Sequence, residues 1–121
     1  MESVTPLERA VLEKLLYGDS KEYQILQKQC DDLLVSERKM TGVGFFTRFF
    51  LPSEVAKLPN KASFQIGDVA ADIEDLKHGA GFELFIKNGQ IYMLEGYTYD
   101  EPWPRDIRGF KLYYDGTSER T

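Results

Sequence analysis

The sequence has very little of the residues that most often build disulfides, metal sites and nucleophilic centres. It contains one cysteine, Cys30, and one histidine, His78, among 121 residues. A single cysteine excludes an intramolecular disulfide. The carboxylates near His78, at Asp68 and Asp72, match neither an EF-hand loop nor a His-x-x-x-His helix, so a solvated acidic edge is favoured. We predict no metal and no cofactor.

Long apolar runs and an excess of basic charge are also missing. No stretch approaches the roughly 18 apolar residues of a membrane-spanning helix, and the first residues lack the pattern of a signal peptide. The net charge is −5, and residues 65–101 hold eight acidic residues against two basic ones, a local net charge of −6. Such a field repels nucleic-acid phosphates and anionic membranes but attracts basic proteins. We expect a cytoplasmic protein that binds neither nucleic acid nor membranes.

The clearest structural signal is the Asn88-Gly89 pair between two apolar, β-prone runs. Both residues tolerate positive φ, as a type I′ hairpin turn requires. Without interruption, this register pairs Phe82 with Glu95 and makes one face apolar and the other mixed. The apolar face carries Phe82, Leu84, Ile86, Ile91 and Met93. The mixed face carries Glu83, Phe85, Lys87, Gln90, Tyr92 and Leu94.

Capping residues and periodicity predict the remaining elements. A capping box of Thr5 and Glu8 predicts a first helix over residues 6–17. An apolar stripe that buries Cys30 predicts a second helix over residues 20–34, which forms an αα-hairpin with the first. Further strands are predicted over residues 38–51 with a bend at the glycines, 63–69 and 107–114, before a frayed tail at 116–121. The prediction is a single α+β domain, residues 1–121, with the αα-hairpin on one face of a mainly antiparallel sheet of five or six strands.

Glu95 is the most unusual carboxylate, because the uninterrupted register places it on the apolar face. A buried carboxylate needs a partner or a raised pKa. Glu95 is therefore a candidate general acid or base, with Asp100 or Glu101 as a second carboxylate, in a small enzyme or ligand-binding pocket. Alternatively, it lies at the open end of the hairpin near water or an arginine such as Arg48 or Arg108. No nucleophile is placed by a motif, so a non-enzyme is favoured.

Residues 97–104 combine tyrosine, tryptophan, acidic residues and proline. Tyrosine and tryptophan are enriched at interface hot spots, and proline lowers the entropy lost on ordering. We predict a protein-binding module that docks a basic partner, or a homodimer formed through the mixed hairpin face. The predicted binding residues are Tyr97, Tyr99, Asp100, Glu101 and Trp103, with Asp68 and Asp72. The alternative for Trp103 is a lid folded back on the core.

Two segments resemble a known family. Residues 41–47, Thr-Gly-Val-Gly-Phe-Phe-Thr, and 95–104, Glu-Gly-Tyr-Thr-Tyr-Asp-Glu-Pro-Trp-Pro, are similar to segments of a family of small, single-domain bacterial proteins with no established activity. This resemblance covers most of the chain and implies no catalytic residue. The small size and acidic charge are also similar to those of bacterial immunity proteins, which implies an antitoxin-like or regulatory role.

Overall fold

A computed structural model describes residues 1–115 as two helices followed by six strands. The elements are α1 (Pro6–Leu15), α2 (Lys21–Cys30), β1 (Leu34–Met40), β2 (Gly44–Phe50), β3 (Phe64–Ile73), β4 (Ala80–Lys87), β5 (Gln90–Thr98) and β6 (Phe110–Tyr114). The strands form one antiparallel sheet in the order β1-β2-β5-β4-β3-β6. The predicted α+β class, with N-terminal helices against an antiparallel sheet, is confirmed. The predicted tail at 116–121 lies outside the described residues.

Both helices begin at side-chain caps and pack on the same core. The Thr5 hydroxyl accepts a hydrogen bond from the Glu8 N–H, and the Glu8 carboxylate accepts one from the Thr5 N–H at 2.8 Å, so the capping box is present. Ser20 caps α2 by accepting from the Tyr23 N–H. α1 contacts β3, β4 and β6, whereas α2 contacts β5. The buried side chains of both helices and one sheet face form a single hydrophobic cluster.

The second helix and the first strand differ from the prediction. α2 ends at Cys30, and the chain is already a strand at Leu34. Val35 explains the early change, because its backbone pairs with Glu2 on one side and its side chain is buried beside its strand partner Phe49. Strand pairing here overrides the helical spacing of the apolar residues.

Residues 38–51 form two antiparallel strands rather than the single strand that was predicted. β1 and β2 are joined through residues 41–43, and Gly42 has a φ of 91°, which lets the chain reverse. β3 runs on to Ile73, beyond the predicted end at 69, and β6 begins at Phe110 rather than at 107. Because β3 extends this far, Asp72 lies within the sheet and pairs with Lys111 of β6.

The central hairpin turns where the sequence predicts it. Asn88 and Gly89 have φ values of 52° and 80°, as a type I′ turn requires. The first two predicted pairs, up to Ile86 with Ile91, are present. Gln29 of α2 is fully buried, donates to the Gly89 carbonyl at 3.1 Å and accepts from the Ile91 N–H at 2.9 Å. The turn is therefore fastened to the helical layer.

Beyond these pairs the predicted register is wrong. Phe85 pairs with Met93 instead of Tyr92, so Tyr92 is the extra residue of a β-bulge. Each later residue of β5 consequently faces the side opposite to the prediction. Leu94 is fully buried in the core, whereas Met93 and Glu95 face away from the helices.

Candidate functional site

The sheet face that the helices leave uncovered, here named the open face, carries a pair of adjacent carboxylates. Glu83 of β4 lies directly opposite Glu95 of β5. Like charges in directly opposite positions destabilise an antiparallel pair. Within residues 1–115, neither carboxylate forms an ion pair with a basic side chain. In the described part of the chain, the charges of these two acids are therefore not neutralised by an ion pair.

The surroundings of Glu83 hold its carboxylate partly out of water. Burial, and then the charge of Glu95, raise the pKa of Glu83. The carboxylate lies above Gly67, where any added Cβ would overlap it. Burial also raises the pKa of Tyr97, with further contributions from Tyr99 and Glu83. A cation placed among these groups would stabilise the ionised form of the Glu83 carboxylate. The same attraction would hold the cation at this position.

Tyr97 lies beside the carboxylate pair, and Tyr99 and Tyr113 extend the group toward Asp72. The Tyr97 ring lies on Gly81, and a Cβ at that position would overlap the phenol. The rings of Tyr97 and Tyr99 meet edge to face, with centroids 5.9 Å apart and an interplanar angle of 84°. The pKa of Tyr113 is raised by burial and then by the charge of Asp72. We name these residues the acidic tyrosine cluster: Asp72, Glu83, Glu95, Tyr97, Tyr99 and Tyr113.

The opposite end of the open face is basic. The Arg48 guanidinium carbon lies 5.1 Å from the Tyr92 ring centroid, and Lys87 Nζ lies 4.9 Å from the same centroid. We name these three residues the basic band. Phe85 and Met93, which pair with each other and are half-buried, separate the basic band from the acidic tyrosine cluster. Along β4 and β5 the open face is therefore acidic at one end, apolar in the middle and basic at the other end, whereas on the outer strands Lys111 lies opposite Asp72 and Glu37 lies opposite Arg48.

The structure divides the binding residues that the sequence predicts. Tyr97, Tyr99 and Asp72 lie together on the open face. Trp103 does not join them, because its ring packs edge to face on Phe45, with centroids 5.1 Å apart, against the hydrophobic core. The interpretation of Trp103 as a lid on the core is therefore the one that the contacts support.

The remaining predicted binding residues lie at the edge of the open face or in loops. Glu101 accepts hydrogen bonds from the Lys77 and His78 N–H groups, both at 2.9 Å, and these bonds lower its pKa. It thereby ties the 98–104 segment to the preceding loop. Asp100 is exposed at the tip of this segment with a φ of 65°. Asp68 is half-buried in the irregular part of β3.

The expectation that Glu95 is buried in the apolar face is wrong. The bulge turns Glu95 to the open face, and Phe82 pairs with Gly96 instead. Arg48 and Arg108, its suggested partners, contact Tyr92 and Asp75 respectively. The acid next to Glu95 is Glu83, on a sheet surface, so the arrangement does not resemble a pocket with a general acid or base.

Sequence reasoning missed three parts of this surface: Glu83, Tyr113 and the basic band. Glu83 reaches Glu95 only because of the bulge, and Tyr113 reaches the cluster only through the pairing of β6 with β3. The one available signal was the net charge of −6 over residues 65–101, which includes both glutamates.

A buried ion pair lies on the helix side of the sheet. Glu8 accepts from Arg38 Nη2 at 2.7 Å and Nε at 2.9 Å, from the Thr47 hydroxyl and from the Thr5 N–H. Burial opposes ionisation of Glu8, but these hydrogen bonds more than offset it and lower its pKa. A groove of about 340 Å³ borders the pair and is walled by Trp103. Because both carboxylate oxygens are satisfied, Glu8 is best understood as a structural group.

The described part of the chain offers little for metal or thiol chemistry. In residues 1–115, no group of three or more His, Cys, Asp or Glu side chains is arranged to hold a metal ion. Cys30 is buried, and burial raises its thiol pKa to about 12. Across the same residues, no helix combines the length and the apolar character that crossing a membrane demands.

Comparisons with known proteins give no match. No protein-family model, curated protein or solved structure matches this chain. The resemblance of residues 41–47 and 95–104 to a family of small bacterial proteins, and the analogy with immunity proteins, therefore stay predictions.

Proposed function

We propose that this chain is a cytoplasmic protein-binding module, immunity-like or regulatory, whose open face docks a basic protein. The observation that carries the proposal is the pair Glu83 and Glu95, which lie side by side on an uncovered sheet face without a basic partner within residues 1–115. Lysine or arginine side chains of a partner would supply the missing charge. The phenol rings of Tyr97 and Tyr99 would add cation–π contact to the same groups.

Partial burial of Glu83, Glu95 and Tyr97 makes such contacts stronger than those of a fully exposed surface. The raised pKa of Glu83 indicates that water solvates its carboxylate incompletely. Close charge pairs at protein interfaces couple by about 1.5–7 kcal/mol. The wider acidic field of residues 65–101 would also speed the encounter with a basic protein at low salt.

The anchor of the interface in this proposal is Tyr97 rather than Trp103. Hot spots are aromatic or arginine side chains near the centre of a contact that excludes water. Tyr97 is half-buried next to Glu83 and Tyr99, whereas Trp103 packs on Phe45. Tyr97→Ala should therefore weaken binding more than Trp103→Ala at equal folded fraction.

The experiment is affinity capture from a lysate of the source cell with three baits, at low and moderate salt, followed by quantitative mass spectrometry. The baits are the wild-type chain, the double variant Glu83→Gln/Glu95→Gln, and a control, Asp32→Asn/Glu54→Gln. Asp32 and Glu54 are exposed carboxylates outside the open face. Both double variants change the net charge by the same amount, so the control separates a local effect from a global one.

We expect a basic protein to be retained by the wild-type and control baits, lost from the Glu83/Glu95 variant and released by salt. Its affinity for the purified wild-type chain should fall by about tenfold or more in the double variant. The proposal is contradicted if the three baits retain the same proteins, or if no basic protein is enriched on the wild-type bait.

A further inference from the structure

We infer that, in the absence of its basic partner, a second copy of this chain covers the open face, with the acidic tyrosine cluster of each copy on the basic band of the other. This inference rests on the proposed function at one point only, which is that the basic partner displaces the second copy. Self-association itself is argued from the charge pattern and the area of the open face.

The charge pattern along β4 is self-complementary. Glu83 and Lys87 lie four residues apart on the open face, roughly 13 Å along a strand, with Phe85 midway between them. A twofold axis that crosses the strands at Phe85 brings Glu83 of each copy onto Lys87 of the other. Phe85 then packs on the same residue of the second copy. The arrangement satisfies both charges and covers the apolar middle at once.

The neighbouring strand β5 obeys the same symmetry. The axis crosses β5 near Met93, the strand partner of Phe85. Because Glu95 pairs with Glu83 and Gln90 pairs with Lys87, it brings Glu95 of one copy over Gln90 of the other, at the end of β5 where Lys87 and Arg48 contact the Tyr92 ring. Two antiparallel sheets pack face to face in this way with their strands nearly aligned, about 10 Å apart.

Exposed aromatic side chains on the same surface favour coverage. The exposed fractions are 43% for Phe50, 48% for Tyr99 and 40% for Tyr113, and Phe85 and Met93 are half-buried without a layer above them in residues 1–115. Exposed apolar area that accumulates on one sheet face marks an interaction surface. The alternation of charge at its two ends selects a second copy with opposite orientation.

The area of the open face predicts a weak, reversible dimer. Six strands about 4.8 Å apart, each about seven residues long at roughly 3.3 Å per residue, span about 24 by 23 Å. Each copy then contributes about 550 Å², and roughly 1,100 Å² in total lies at the low end of specific interfaces. A partner that binds only the monomer must compete with the second copy for Glu83 and Glu95. Self-association thus sets the concentration at which the module becomes available.

The test is sedimentation equilibrium of the purified chain from about 1 to about 300 µM, the range in which an interface of this size is expected to dissociate. The two variants are Glu83→Lys and Lys87→Glu, each of which places like charges together at both symmetric contacts. Mixed in equal amounts, the E83K and K87E chains regain opposite charges at both contacts. Asp32→Lys and Lys21→Glu, at exposed positions outside the open face, are the matched controls, and circular dichroism verifies that all variants fold.

We expect the wild type and both controls to dimerise, each single open-face variant to raise the dissociation constant by about tenfold or more, and the mixture to restore it to within about threefold. A wild-type chain that stays monomeric to about 300 µM overturns the inference. So does a dimer that neither variant weakens, or one that both variants weaken and the mixture does not restore. If the chain stays monomeric but captures a basic protein through Glu83 and Glu95, the dimer is refuted and the proposed function is supported. If the chain dimerises but captures no basic protein, the proposed function is refuted and the dimer is supported.

Discussion

Replacing Leu94 by alanine should destabilise the protein strongly, whereas replacing the adjacent Met93 should cost little. The two residues are consecutive in β5, and the bulge at Tyr92 decides which of them enters the core. Leu94 is fully buried, and Met93 is half-buried on the open face. The pair of variants therefore tests the register with two changes of similar chemistry.

The surroundings of Leu94 set the size of the effect. Its strand partners, Thr47 of β2 and Leu84 of β4, are themselves fully buried, so neither solvent nor a surface side chain can fill the space left by truncation. Leucine-to-alanine changes at such sites cost about 3–5 kcal/mol. Met93 has no layer above it within residues 1–115, so its truncation should cost about 1 kcal/mol or less.

The assay is urea unfolding followed by circular dichroism, with thermal unfolding as a second measurement. In a domain of this length each kcal/mol corresponds to roughly 3–5 °C, so Leu94→Ala should lower Tm by about 9–25 °C and Met93→Ala by at most about 5 °C. The control for two-state behaviour is that the dependence of the unfolding free energy on urea concentration has the same slope in the wild type and both variants. If Met93→Ala proves the more costly change, the bulge is misplaced and Glu95 returns to the core face.

Three further outcomes are expected. Glu8→Gln keeps a residue type that a capping box accepts but leaves Arg38 only the exposed Glu2 as counter-ion, at 3.3 Å, so urea unfolding at neutral pH should show a loss of about 2–4 kcal/mol. Because the folded pKa of Glu8 is lowered, its contribution is complete above the unfolded value near 4.5 and disappears as pH falls through the folded value, so wild type and variant should converge in acid. The Cys30 thiol, with a pKa raised to about 12, should react with a thiol reagent only under denaturing conditions; rapid labelling of the native protein would contradict its burial. Gly81→Ala places a Cβ where the Tyr97 phenol lies, so it should cost about 1–3 kcal/mol and alter the tyrosine near-ultraviolet dichroism, and an unchanged spectrum would speak against the contact.

Local signals in the sequence predicted the elements whose cause is itself local. The capping box of Thr5 and Glu8 and the turn at Asn88-Gly89 both depend on residues within a few positions of each other. The alternation of β4 also identified its buried face. These features, with two helices ahead of several strands, were enough to obtain the α+β class.

The bulge could not be predicted because the residues around it do not alternate between apolar and polar. Ile91, Tyr92, Met93 and Leu94 form a continuous apolar run, and such a run fits either face of a strand equally well. The choice is made by packing, which buries Leu94 between its neighbours. An error of one residue then carried Glu95 to the wrong face.

The candidate site was predictable in composition but not in assembly. Tyr97, Tyr99 and Asp72 were singled out from the acidic and aromatic character of their segments, whereas Glu95 was singled out from a hairpin register that proved wrong. Their association with Tyr113 depends on the pairing of β3 with β6, a contact between segments more than thirty residues apart. Pairing between strands so far apart in the chain produces no hydrophobic periodicity that a single sequence could show.

The hydrogen bonds of Gln29 have a consequence for cooperativity. This side chain of α2 satisfies the Ile91 N–H next to the bulge and also holds the carbonyl of the hairpin turn. Without α2 the Ile91 N–H loses its hydrogen-bond partner, which costs about 1–3 kcal/mol where the group stays away from water, whereas the Gly89 carbonyl keeps the bond from the Leu58 N–H. The hairpin and α2 are therefore expected to unfold as one unit, and a truncated chain that keeps only the strands should lose the arrangement of the open face. The helices thus maintain a surface on the far side of the sheet, which they do not cover.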